Sequence, residues 1–158
     1  MNEAALLNAC RTGNLDEVKK IYEAEPSIIN RADARGYTPL ILAVYSNQPS
    51  IVSFLLEKGA QINAQDSAGN SALMGASFKG YTEIAIQLLN AGANVNLTNG
   101  SGAPALTFAV TFGHLRIAEL LLQKGASVSL ADALGKTPSD HARTQGNDAM
   151  INLLERYS

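Results

Sequence analysis

The chain contains no tryptophan, one cysteine and two histidines among its 158 residues, and each scarcity removes a class of chemistry. Cys10 alone cannot form an internal disulfide, which fits a reducing compartment and argues against a small disulfide-built scaffold. Charged residues make up only 16% of the chain and sum to −2, with no basic run longer than Lys19-Lys20, so no field that would attract nucleic acid is expected. No apolar run approaches the roughly 18 residues that a membrane span requires. The start, MNEAALLNACRTG, carries an early acid and lacks the charged segment of a signal peptide. LNAC resembles a lipoprotein cleavage box, but only nine residues precede Cys10. A cytoplasmic protein is the expectation. What is plentiful is apolar: 46% hydrophobic residues suit one soluble domain with a sizeable core.

The chain repeats itself. DARGYTPLILA (from Asp33), DSAGNSALMGA (from Asp66), NGSGAPALTFA (from Asn99) and DALGKTPSDHA (from Asp132) recur every 33 residues. Gly36, Gly69, Gly102 and Gly135 occupy one column and Ala43, Ala76, Ala109 and Ala142 another. IVSFLLEKGAQIN, IAIQLLNAGANVN and IAELLLQKGASVS follow in step.

Each column has a physical reading. Asp33, Asp66, Asn99 and Asp132 suit Asx-turns, with the glycine three residues later in the positive-φ position of a tight turn. Thr38 or Ser71 can cap the following helix, with Pro39 at its first position. That helix is short and should stop at Gly80, Gly113 and Gly146, or at Asn47, which also tolerates the left-handed conformation. A second helix buries Ile51 with Leu55 and Leu56, Ile84 with Leu88 and Leu89, and Ile117 with Leu121 and Leu122, then stops at Gly59, Gly92 and Gly125. Unstacked, one such unit cannot offset an ordering entropy of roughly 1–2 kcal/mol per residue. Stacked units can, because each buries its apolar faces on its neighbours.

The ends depart from the pattern as the caps of a solenoid should. Residues 1–32 retain a helix pair without a preceding turn, and residues 132–158 exchange apolar for polar positions at Ser139, Asp140 and Glu155. Full units are expected at 33–65, 66–98 and 99–131, giving a single domain over 1–158. Capped ends predict a monomer.

The pattern D-x-x-G-x-T-P-L…A…G…I-V-x-x-L-L-x-x-G-A-x-x-N resembles the ankyrin repeat, and the resemblance covers essentially the whole chain. It implies an all-α ankyrin-repeat solenoid of about five helix pairs with β-turn fingers. LMGASFKGYTEIAIQLL and LTFAVTFGHLRIAELLL are most similar to short bacterial members. One departure matters: where the family has a histidine after T-P-L, this chain has Ile41, Met74, Thr107 and Asp140. The family's histidine hydrogen-bond network is therefore expected to be absent or replaced by apolar packing.

Three features suggest chemistry and do not hold it. NGSGAPAL (Asn99–Leu106) contains G-x-G-x-x-A, with Glu119 about 20 residues on, as in a dinucleotide-binding fingerprint. But the preceding ANVNLT is polar rather than a buried strand, and Glu119 falls on the solvent side of a second helix. His114 sits at the family's usual turn histidine, a structural position, and His141 near the last turn suggests a surface or capping role beside Asp140. Cys10 occupies a small packed position two or more repeats from either histidine, so neither a metal cluster nor a nucleophilic pair can assemble. No catalytic residue, cofactor or metal is expected.

A surface remains. The resemblance implies that turn fingers and first helices line a concave, protein-binding face. It would include Ala34, Ser67, Ala68, Asn70, Gly100, Ser101, Ala103, Ala133 and Leu134, with helix ends from Arg11 to Gln145. The sharpest candidates are the aromatics Tyr37, Tyr45, Phe78 and Phe112, with Arg35, Lys79 and Lys136 as a cationic rim favouring an acidic partner. The leading expectation is a non-catalytic interaction module for an unidentified protein. The alternatives are an accessory or regulatory subunit of a stress-defence enzyme and a small-molecule or nucleotide binder at NGSGAPAL. Two finer expectations concern that stretch. Gly100 should make its finger the loosest, and Pro104 should occupy the first helical position with Ala103 as a poor cap.

Overall fold

Four nearly identical turns set the spacing of the molecule, as seen in a computed structural model that describes residues 2–158. In each turn one side-chain oxygen closes the finger. Asp33 Oδ1 accepts from the backbone N–H groups of Arg35 and Tyr37 at 2.9 and 3.0 Å, and Asp66, Asn99 and Asp132 repeat the pair at 2.9–3.0 Å. This is the Asx geometry expected from the column of Asp and Asn.

Behind the turns lie ten α-helices among the described residues: α1 (Asn2–Thr12), α2 (Leu15–Ala24), α3 (Pro39–Tyr45), α4 (Pro49–Glu57), α5 (Ala72–Lys79), α6 (Thr82–Asn90), α7 (Ala105–Thr111), α8 (Leu115–Gln123), α9 (Pro138–Gln145) and α10 (Asp148–Glu155), with a 3₁₀ turn at Pro26–Ile28. Odd-numbered helices pack on one another in one row (α1, α3, α5, α7, α9), even-numbered ones in a second, and each pair packs across the rows. The interface between rows is the core. Ala43, Ala76, Ala109 and Ala142 are fully buried there, small enough for neighbouring helices to approach, and Leu40, Leu73, Leu106, Ile51, Ile84 and Ile117 fill the space around them. Leu56 departs from its column by being only partly buried.

First helices end where the sequence puts a residue tolerant of positive φ. Asn47, at φ 55°, is the one non-glycine residue with positive φ among those described, and Gly80 caps α5 at φ 79°. Thr38, Ser71 and Thr137 cap α3, α5 and α9 through their hydroxyls, each accepting from the N–H three residues on. In α9 the exchange is mutual, because Asp140 Oδ2 accepts from Thr137 N–H at 2.9 Å. That contact, with Arg143 beside it, holds the Asp140 carboxyl down at about 2. Asp140 thus makes a polar contact where the family pattern has a histidine, and Met74 makes one through sulfur at 3.3 Å, so the replacement is not by apolar packing alone.

Two expectations for NGSGAPAL fail. Pro104 is itself the cap residue of α7, at φ −83° and ψ 173°, and Ala105 begins the helix. The register of the neighbours decides this: Ser71 and Thr137 cap with φ −88° and −84°, angles a proline ring already satisfies, so Ala103 is not drawn into service. Nor is Gly100 loose. Its N–H donates to Ala68 O at 2.9 Å, and Ser101 O accepts from Ala133 N–H at 2.9 Å, so the finger is tied on both sides. A Cβ on Gly69 would lie 2.7 Å from Gly100 N, and one on Gly100 would lie 3.1 Å from Ala68 O. Glycine is needed at position 69 for the close approach of the two fingers, whereas Ser67 and Ala133 make the bond of Gly100 in the neighbouring fingers.

Candidate protein-docking face

The finger turns and the first helices share one side of the molecule, and the aromatic side chains gather there in two groups. Tyr37, two residues before α3, and Tyr45, at its end, stand with ring centroids 6.0 Å apart. Phe78 at the end of α5 meets Phe108 of α7 at 6.4 Å and Phe112 at 4.6 Å, both edge to face. Between the groups lies a recess of about 190 Å³ walled by Tyr45, Asn70, Met74, Phe78 and Phe108.

One missing side chain shapes this recess. The column Leu42, Gly75, Phe108, His141 faces the same way on successive first helices, and only Gly75 is empty. The Tyr45 ring lies over it, so that a Cβ on Gly75 would meet the ring's Cζ at 3.1 Å. Half-buried in this slot, the Tyr45 phenol is pushed up to about 12, first by loss of solvent and then by the Asp66 carboxylate and Tyr37.

Cations flank the aromatics. The Arg35 guanidinium lies 4.5 Å from the Tyr37 ring centroid and the Lys79 ammonium 5.7 Å from that of Phe78. Arg35 also faces Asp33 at 3.4 Å. The carboxylates of this side are already engaged: Asp33 and Asp66 by their own turns, Asp140 by Thr137 and Arg143, and Asp132 by its turn and by His141 Nε2 at 2.9 Å. Among the candidates from sequence, Arg35, Tyr37, Tyr45, Phe78, Lys79 and Phe112 thus form two adjoining clusters. Lys136 is exposed on the last finger and joins neither. Ala103 is buried and offers no surface. Sequence reasoning missed Phe108, Met74 and Gly75. Comparing the Leu42 column would have exposed the empty position.

The residues that first suggested chemistry have structural partners. His114 Nε2 bonds to Phe78 O at 3.0 Å, a tie between repeats beneath the aromatic cluster. His141 pairs with Asp132 rather than with neighbouring Asp140. Burial pushes the Cys10 thiol up to about 12, so it is held protonated and is a poor nucleophile at neutral pH. Glu119 pairs with Arg116 on α8. Among the described residues no cluster of three or more His, Cys, Asp or Glu is placed to hold a metal, and no helix is long and apolar enough to cross a membrane.

A family model of ankyrin repeats (three copies) matches residues 1–66 and 67–157. The chain belongs to the ankyrin repeat family. It is also similar to a BTB/POZ domain-containing protein 3 of Schizosaccharomyces pombe, 44% identical over 55 residues, which is 35% of this chain and 10% of that protein. The ankyrin repeat and SAM domain-containing protein 6 of Rattus norvegicus is 35% identical over 57 residues, 36% of this chain and 6% of that one. The chain thus spans a tenth or less of the length of these relatives through the matched segments. Ankyrin repeats generally mediate protein–protein interaction and are generally non-catalytic.

Proposed function

We propose that this ankyrin repeat protein is a non-catalytic module that docks a protein partner on the face built by its fingers and first helices. The observation that carries the reading is the continuity of the aromatic clusters: Phe78 and Phe112 are 37% and 49% exposed, and both lie on that one face. Large apolar side chains left half in solvent beside one another are typical anchors of an interface. The scaffold is preformed, because fingers are bonded to fingers and helices stack in register, so docking would cost little ordering entropy. The expected partner is a protein rather than nucleic acid or a membrane, and a monomer is the expected state.

The test is co-purification from the native host with wild type and with Tyr45→Ala/Phe78→Ala. A partner recovered with wild type, and at least about tenfold less with the double variant of unchanged circular dichroism, is the expected result. Equal recovery by both would remove the docking role from this face.

A further inference from the structure

The recess between the two aromatic clusters narrows the chemistry of what docks, if the face is a docking face as proposed above. At about 190 Å³ it falls below the roughly 300–1,000 Å³ of sites that take cofactors or drug-sized ligands. It has room for one side chain of intermediate size. Three aromatic rings and the Met74 thioether make its walls apolar, and the carbonyl of its amide, Asn70, already accepts from Asn99 Nδ2 at 2.9 Å. A charged group entering it would lose water and find only the Asn70 amide N–H donors and the Tyr45 hydroxyl against walls that are otherwise apolar.

Around the recess the exposed charge is mainly cationic, although Asp33 pairs with Arg35 at 3.4 Å and Asp66 sets a carboxylate charge beside Tyr45. Arg35 and Lys79 are exposed and lie against the aromatic rings on either flank. The carboxylates nearest them, Asp33 and Asp66, spend their inner oxygens on backbone N–H groups of the turns, and Asp66 is buried. The acidic groups Glu57, Glu83, Glu119 and Glu155 belong to the second-helix row. A chain of net charge −2 therefore places two exposed cations beside this recess, Lys79 without a carboxylate partner among the described residues and Arg35 sharing its charge with Asp33.

We infer that the recess receives one aliphatic or thioether side chain (Leu, Ile or Met) from an acidic segment of the partner, whose carboxylates meet Arg35 and Lys79. Burying such a side chain gives affinity, and the flanking charges give specificity and a faster, salt-sensitive encounter.

A displayed random-peptide library selected on the immobilised full-length protein tests this, with the enriched sequences synthesised and their affinities measured by fluorescence anisotropy at low and high salt. The expected consensus is one Leu, Ile or Met with Asp or Glu on both sides. Replacing that residue by Ala should weaken binding about ten- to a hundredfold. Arg35→Gln/Lys79→Gln should weaken it and flatten its salt dependence, and Phe78→Ala should weaken it at every salt concentration. Enrichment of basic or uncharged peptides that nevertheless depend on Tyr45 and Phe78 would overturn the acidic-segment inference while leaving the docking face in place. Peptides indifferent to Tyr45→Ala and Phe78→Ala would overturn both. No enrichment at all would overturn the inference, and co-purification of a partner lost in the double variant would still uphold the wider reading.

Discussion

Helices α5 and α7 occupy the same place in successive repeats and are held by different means. The first turn of α5 is closed from both sides: Ser71 Oγ accepts from Met74 N–H, and Met74 Sδ accepts from Ser71 N–H, both at 3.3 Å. At α7 the cap is Pro104, which has neither hydroxyl nor N–H, and Thr107 Oγ1 is buried without a hydrogen-bond partner. Yet both helices begin at the same register position, with Leu73 and Leu106 equally buried beneath them. The difference teaches that capping chemistry is dispensable where stacked neighbours and tied fingers already fix the start of a helix. Positions on the face toward the recess are then free to differ, as Gly75 and Phe108 do.

If stacking, not capping, seats these helices, then Leu73→Ala and Leu106→Ala should destabilise the protein alike. Each is expected to cost about 2–5 kcal/mol in chemical denaturation, with the pair agreeing to within about 1 kcal/mol. A much smaller cost at Leu106 would mean that α7, lacking its cap, is poorly seated, and would break the comparison.

The caps themselves should differ in sign. Ser71→Ala removes an acceptor in use and should cost about 1 kcal/mol. Thr107→Val removes a buried hydroxyl that has no partner and should stabilise by about 1 kcal/mol. The sharper form is a double-mutant cycle. Pro104→Ser restores an N–H opposite Thr107 Oγ1, and in that background Thr107→Val should become destabilising. An unchanged sign would show that the threonine hydroxyl is satisfied in some other way.

The repeat, both helices of each pair and the Asx turns were legible because each rests on local chemistry repeated in every unit: an aspartate closing its own turn, a threonine capping its own helix. Gly100 and Pro104 were misread for one common reason. Local rules made the first a flexible tip and the second a helix start, whereas contacts from neighbouring units decide both. The same limit applies to the recess. Tyr45, Phe78 and Phe112 stood out as aromatics at helix ends, but the pocket between them depends on a ring from one repeat lying over an empty position in the next. Met74 and Phe108 read as ordinary helix residues until that overlap is seen.

Gly75 allows the smallest and most specific test. A glycine inside a helix is worse than alanine by about 1 kcal/mol, so Gly75→Ala should strengthen α5 in isolation. The new Cβ would stand 3.1 Å from Cζ of Tyr45, and the ring must give way by a few tenths of an ångström. The two effects oppose each other, and the net change in stability at neutral pH should stay within about 1 kcal/mol. The Tyr45 phenol reads the ring's position directly. Its folded pKa of about 12 lies above the usual value near 10, so the stability it contributes is complete below about pH 10 and is lost as pH rises toward 12. Ultraviolet titration should show the Tyr45 phenol ionising late in the wild type, assigned by its loss in Tyr45→Phe. In Gly75→Ala that late step should move down toward 10 as the ring is lifted into solvent, and partner capture should weaken with it. A late step that stays in place would mean that the ring is held by Tyr37 and Asn70 rather than by the space Gly75 leaves, and the divergence of α5 from α7 at this column would then have no bearing on the docking face.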